Sequence, residues 1–513
     1  MLAVVHNITA ATRLLDVLEL VAGDPRIQTV FTCPGSSAFT AGTEEFLAAR
    51  GIPTLPWAQA ASTAFDVAIA ASYGGDLHEL RAPLIVVPHG MGYNKYLENR
   101  KSKIENRLSV FGLSAPWLMF RGEVVPAQIV LSHEEQLDRL RTSCPPAAGR
   151  AIVAGDPCLD RLRTSRVLRE TYRQALGVRE HQRLVVLTST WGEASLLGRH
   201  PDLPRRLATR LPLDTHRLAV ALHPNITQGH SAWQVERWLD DCRRAGVLVL
   251  PSEELWQPAL VAADLTIGDH GSVTFYSACL GTPLLLAATP EGTVDPASPI
   301  AQLLRSAPRL DVDADPLPQF DRTIAEHDPG RYADITDLAT SLPGKSAEIL
   351  RALLYRTASL DPPAHPAGPR LLPTPAAALP EPTATLVTTE PFARYPVDVR
   401  REPARLSEGH LVVHTDEPDA GLLELADVVL GDAPADPLRW LAETLHALPG
   451  CRWAATAAGE RWLAASRDGR VVEVHDLTGP PRALISLLAG YADPPTKLEI
   501  AGYSASVRPF SRS

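Results

Sequence analysis

Residues 262–286 read A-A-D-L-T-I-G-D-H-G-S-V-T-F-Y-S-A-C-L-G-T-P-L-L-L. An apolar strand runs into Gly268-Asp269-His270-Gly271-Ser272, a helix follows, and Gly281-Thr282-Pro283 leads into a second apolar strand. A strand–turn–helix of this kind gathers free backbone N–H groups and the positive end of a helix dipole at one point, which attracts phosphate. The stretch predicts a strand–helix–strand unit that handles a phosphorylated or nucleotide-linked molecule.

Outward from it, short apolar runs alternate with helical segments. Strands are predicted at residues 2–6, 29–32, 65–71, 84–88, 128–131 and 151–154, and a second series at 184–188, 218–222, 247–250, 265–267 and 283–286. Amphipathic stretches such as 11–22 and 231–245 lie between them. Buried strands with intervening helices imply parallel sheets covered on both faces. Two successive series predict two doubly wound domains, residues 1–160 and 161–358, whose ligand site lies in the cleft at the carboxyl ends of the strands. Residues 359–383 carry eight prolines among alanines and read as a semi-rigid extended linker. Residues 384–513 read as a small α/β accessory domain, with strands at 411–413, 428–430 and 471–474 and a helix at 438–448. The echo of A-D-L-T-I-G-D in A-D-V-V-L-G-D (residues 426–432) is read as chance, since the second copy lacks the following His-Gly-Ser.

At 513 residues the chain is too long for one ordinary core. The net charge of -10, from 49 basic and 59 acidic residues, argues against a general nucleic-acid binder. The six cysteines form no C-x-x-C pair, which fits neither a zinc knuckle nor a disulfide framework and is expected of a reducing cytoplasm. The first residues show no charged n-region, and there is no apolar run of about 18 residues. Membrane contact is therefore expected to be peripheral if it occurs. Asp311-Val312-Asp313 has D-x-D form but no partner ligands nearby in sequence, and no metal is expected. The phosphate loop, H-E-x-x-H, G-x-S-x-G and a G-x-G-x-x-G after the first strand are all missing.

Three segments carry candidate chemistry. Pro88-His89-Gly90-Met91-Gly92-Tyr93-Asn94-Lys95 follows a strand, so His89 belongs at the sheet's carboxyl edge. Gly90 leaves room for backbone to approach a ligand, and Lys95 supplies charge. Histidine titrates near neutrality and can take a proton from an attacking hydroxyl. The plainer alternative is a histidine that satisfies loop carbonyls. Leu222-His223-Pro224-Asn225 also ends a strand; there His223 can stabilise phosphate charge, or simply hold the turn. In the opening stretch, Asp269 can orient His270 or bind a ligand hydroxyl, Gly271 and Ser272 can hold phosphate oxygens, and Thr274 can add a donor; a plain helix cap is the alternative. Thr190, in Thr188-Ser189-Thr190-Trp191-Gly192, is a weaker candidate, and Gly155-Asp156-Pro157 with Asp160 reads as a domain-joining turn.

In order along the chain, these motifs resemble the CDP-glycerol glycerophosphotransferase family, the teichoic-acid polymerases and primases. His89-Gly90 with Lys95 is similar to the family's H-G-x-P-x-K, and Gly155-Asp156-Pro157 with Asp160 to its G-x-P-R-x-D. Thr190-Trp191 is similar to its T-W pair, Leu222-His223-Pro224 to its L-H-P, and Gly268 through Tyr276 to its T-D-Y-S-S-V-x-F-D. The resemblance spans residues 1–355. Lys95 stands one residue further from His89 than in the family, Cys158 replaces the junction arginine, and His270-Gly271 replaces Tyr-Ser.

The resemblance implies the GT-B fold: two Rossmann-like doubly wound domains facing a cleft. It implies transfer of a glycosyl or polyol-phosphate group from a nucleotide-diphospho donor to an acceptor hydroxyl, for which the inner membrane face is one setting. His89 and His223 would be catalytic. Thr190, Asp269, His270, Gly271, Ser272 and Thr274 would bind the donor, supported by Gly90, Lys95 and Asn225. No separate cofactor is implied, and helix N–H groups with basic side chains can neutralise the leaving phosphate without a metal. A nucleotide-sugar epimerase or hydrolase, and a non-catalytic nucleotide-sugar-binding scaffold, are the alternatives on the same fold.

Overall fold

The computed structural model describes residues 1–37, 40–97, 109–251, 255–290, 292–389, 399–403, 410–478, 484–485, 487–491, 493–500 and 503–511. The first lobe is built on a seven-stranded parallel sheet. From one edge its strands are Ala151–Val153, Gln128–Leu131, Leu84–Val86, Ala68–Ala70, Leu2–Val4, Val30–Thr32 and Thr54–Leu55. Leu2–Val4 and Ala68–Ala70 lie side by side, with Leu2 opposite Ala68. The chain winds outward from this pair in both directions, so the topological switch point falls there.

The second lobe repeats the plan with five parallel strands, in the order Leu248–Leu250, His216–Leu222, Arg183–Ser189, Leu265–Gly268 and Leu284–Leu286. Arg183–Ser189 and His216–Leu222 pair over seven residues in register. Both are buried nearly end to end, as expected of parallel strands covered by helices on both faces. The switch point here lies between Arg183–Ser189 and Leu265–Gly268. The two doubly wound lobes are those the strand series predicted, and together they form the GT-B-like arrangement that the resemblance implied.

The helix Ser346–Thr357 leaves the second lobe and packs back on the first, burying Leu350, Leu353, Leu354 and Tyr355 in that lobe's core. Its start is held by Asp160, which accepts the Gly344 N–H at 2.7 Å and the Ser346 N–H at 3.2 Å. The junction turn thus ties the return crossing as well as joining the lobes.

The proline-rich stretch is extended, but it is not a spacer. Leu372 and Leu379 are buried. The Leu372 N–H donates to Ser165 Oγ at 2.9 Å, its carbonyl accepts from the Tyr172 hydroxyl at 2.7 Å, and the Leu379 N–H donates to the Leu176 carbonyl. Proline removes the donors that would otherwise need partners, so the segment lies as a strap along the second lobe. Beyond it, the tail forms one nine-stranded mixed sheet flanked by the helices Ala420–Glu424 and Pro437–Ala447. The hairpin Trp453–Ala458 with Arg461–Ser466 is central to it. The alanine-rich sequence of that hairpin disguises its strand period, and Gly459, at φ 68°, makes the tight turn.

Candidate active site

A cleft of about 1660 Å³ opens between the lobes, and both switch points face it. From the first lobe His6, Asn7, Arg13 and His89–Lys95 line it; from the second come Thr190, His223, Asn225, Gly271 and Ser272. The strand-terminal histidines from two sheets therefore share one cavity.

Their hydrogen bonds assign them opposite tautomers. His89 Nδ1 lies 3.1 Å from the Ala71 carbonyl. A carbonyl only accepts, so Nδ1 carries the proton and Nε2 keeps its lone pair. His223 Nδ1 lies 3.1 Å from the Asn225 backbone N–H. An N–H only donates, so His223 Nδ1 is the acceptor, capping the helix Pro224–His230, and the proton sits on Nε2. The cleft is thus offered a base from one lobe and a donor from the other. Burial lowers the pKa of His223 well below the ordinary range, and the neighbouring Lys95 and His89 lower it further. Burial also lowers that of His89 to about 4; the Ala71 carbonyl opposes this, and Lys95, Arg13 and His6 reinforce it. The His89 ring is nevertheless open to cleft water, which tempers the depression while leaving its direction, toward neutral imidazole, intact.

Lys95 crosses the cleft. Its Nζ donates to Thr190 Oγ1 at 2.9 Å. Burial lowers its pKa, and Asp269 acts against that. Beside it the lobes are stitched by backbone: the Asp295 N–H donates to the Asn94 carbonyl at 2.8 Å and the Tyr96 N–H to the Thr293 carbonyl at 3.2 Å. Ser272 opens the helix Ser272–Cys279, and its Oγ accepts the Met91 N–H at 3.1 Å. A Cβ at position 90 would stand 2.6 Å from that Oγ, so a larger residue there would displace the Ser272 hydroxyl. The first-turn N–H groups of Ser272–Cys279 have no intrahelical acceptor, and Gly271, Ser272 and Val273 line the cleft.

Three residues expected to bind donor do not line the cleft. Asp269 is buried, and its carboxylate is fully used by the loops: Oδ2 accepts the Thr190 and Leu196 N–H groups and Oδ1 that of Gly271, each at 2.9 Å. These contacts tie the two loops of the switch point together. Burial raises its pKa, while those N–H groups and Lys95 favour the ionised form. Thr274 is buried behind it and accepts the Asp269 N–H through Oγ1. His270 is 5% exposed and turned into the protein, and burial lowers its pKa to about 3.

Arg13 went unnoticed in the sequence. It lies on Ile8–Leu18, the helix leaving the first switch point. Its Nη2 donates to the Tyr276 hydroxyl at 3.4 Å, and that hydroxyl donates to Asp156 Oδ2 at 2.7 Å, coupling a helix of each lobe to the junction turn. An arginine six residues into a helix after a first strand carries no sequence signal of this role. Among the described residues, the group that could hold a metal lies in the tail instead: His414 between the exposed carboxylates of Asp416 and Asp432.

Two parallel-sheet lobes and a cleft built from both switch points form a GT-B-like architecture. No protein-family model matches the chain, and no curated protein does. Solved structures that it resembles include the wall teichoic acid polymerase TagF, at 12% identity and TM-score 0.45, covering 70% of this chain and 88% of that one. They also include UDP-GlcNAc 2-epimerase from Neisseria meningitidis bound to UDP-GlcNAc, at 13% identity and TM-score 0.42, covering 69% of this chain and 99% of that one. The S. aureus MnaA–UDP co-structure matches at 10% identity and TM-score 0.41, covering 71% and 98%.

Proposed function

We propose that this chain is a GT-B-type transferase that moves a glycosyl or polyol-phosphate group from a nucleotide-diphospho donor to an acceptor hydroxyl. The observation that carries this reading is the pair of opposed tautomers: an unprotonated His89 Nε2 and a protonated His223 Nε2 in one cleft. The acceptor oxygen attacks the donor centre, and its proton passes to His89 Nε2. The bond from that centre to the nucleotide phosphate oxygen breaks, and its electron pair leaves with the phosphate. His223 Nε2–H, Lys95 Nζ and the N–H groups opening Ser272–Cys279 receive that charge. Such preorganised donors need no reorganisation as the charge develops. Thr190 positions Lys95, and Gly90 and Asn225 shape the approach. Proton transfer by a placed base contributes about 10²–10⁴-fold in rate.

The test is nucleotide release from a panel of CDP-, UDP- and GDP-linked donors, with and without hydroxyl acceptors. Acceptor-dependent release that His89→Ala abolishes supports the transferase. Release that needs no acceptor, or an epimerised sugar, favours the epimerase or hydrolase.

A further inference from the structure

One wall of the cleft is aromatic. On the first lobe, beside His89, Phe111, Trp117, Met119 and Phe120 face the cavity. Phe111 meets the His89 ring at 5.7 Å and Trp117 at 4.7 Å, both edge-on. Phe120 lies flat on His78, ring centres 3.6 Å apart, yet remains 39% exposed.

The polar atoms of Trp117 and of the tyrosines behind the wall are spent internally. Trp117 Nε1 donates to Ser109 Oγ at 3.1 Å. Behind Phe111, the Tyr73 and Tyr93 hydroxyls bond each other at 3.0 Å, and Tyr93 donates on to the Val130 carbonyl. Gly112 holds φ 81°, and a Cβ there would strike the Tyr93 ring at 2.5 Å, so the turn is built against those tyrosines. Phe120 ends one strand of a tight hairpin whose turn, Arg121-Gly122, has φ 50° and 87°. Arg121, at that tip, stands 5.1 Å from the Phe120 ring centre. What the wall offers a ligand is mostly ring surface, with Arg121 at its rim, while Lys95 and Ser272 line the same cleft. Exposed aromatic surface inside a cleft marks a ligand contact.

We infer that this wall is the acceptor subsite and that the acceptor is a neutral sugar ring, whose apolar face lies on Trp117 and Phe120 while a hydroxyl reaches His89. Among these wall residues only Arg121, at the hairpin tip, could pair with an anionic polyol-phosphate chain. The inference rests on the transferase reading above and specifies its acceptor.

The experiment is binding to the full chain saturated with UDP or CDP, whichever binds, read by saturation-transfer NMR and calorimetry. The probes are methyl glycosides of neutral hexoses, with sn-glycerol 3-phosphate as the anionic control. Neutral glycosides are expected to bind saturably. Phe120→Ala, a change at an exposed position, should weaken them at least tenfold, Trp117→Phe should leave them within a few-fold, and both should leave nucleotide affinity within twofold. If the nucleotide binds but glycerol 3-phosphate is preferred, or glycoside binding ignores Phe120→Ala, the acceptor assignment fails and the transferase reading stands. If neither nucleotide binds, both fail together.

Discussion

Replacement of Asp269 distinguishes an organising residue from a ligand-binding one. Its carboxylate accepts three backbone N–H groups at 2.9 Å from the two loops of the second switch point. Asparagine keeps the shape but supplies only one acceptor oxygen. That oxygen will take the Oδ2 place, where it keeps Thr190 and Leu196, and the NH₂ will face the Gly271 N–H. One hydrogen bond to a charged group is lost, worth about 1.5–3 kcal/mol. For a lobe of this size that lowers the melting temperature by roughly 3–12 °C. Alanine loses all three bonds, a loss of about 4.5–9 kcal/mol before the relief of removing a buried charge, so Asp269→Ala should fall well below Asp269→Asn. Thermal unfolding of the three proteins, with nucleotide affinity measured where each is folded, checks the ordering. Variants that both melt within 1 °C of the wild type, yet lose nucleotide affinity, would show that Asp269 touches ligand and would refute the organising role.

His89→Gln should cut turnover by about 10²–10⁴-fold with nucleotide affinity kept, read by steady-state kinetics beside calorimetry. Its lowered pKa, about 4, places the acid limb of the rate profile below pH 6.5; a limb above pH 7 would contradict it. His223→Ala should lose about 10²–10³-fold in rate and also about 0.5–2 kcal/mol of stability, because the same ring caps Pro224–His230. His6, at about 4, and His270, at about 3, have pKa values depressed by burial relative to the unfolded 6.5. The folded state therefore binds fewer protons, so stability is full above about pH 6.5 and is lost as pH falls toward 4. Denaturant midpoints across that range should fall steadily, and a flat profile would contradict the burial of these rings.

Much of the fold was legible because parallel strands buried on both faces leave unmistakable apolar runs, as at 184–188 and 218–222. The strand-end histidines were legible for the same reason: a polar residue directly after such a run has to sit at the sheet's carboxyl edge. Which polar residues near that edge face outward was not legible. Asp269 and Ser272 are three residues apart in one motif, and only the loop hydrogen bonds send the first into the protein and the second to the cleft. Arg13 and the wall of Phe111, Trp117 and Phe120 escaped because tertiary placement, not local pattern, brings them to the site. In the tail, alanine-rich strands such as Trp453–Ala458 lack the alternation that marks a sheet.

The central claim is that one cleft, built from both lobes, holds the diphosphate of a nucleotide. Calorimetric titration of CDP, UDP and GDP into the full chain and into Lys95→Met tests it most directly. One nucleoside diphosphate is expected to bind with unit stoichiometry and to lose at least tenfold in affinity when the Lys95 ammonium, which bridges to Thr190, is removed. Binding of none of the three, or equal binding to both proteins, would contradict it.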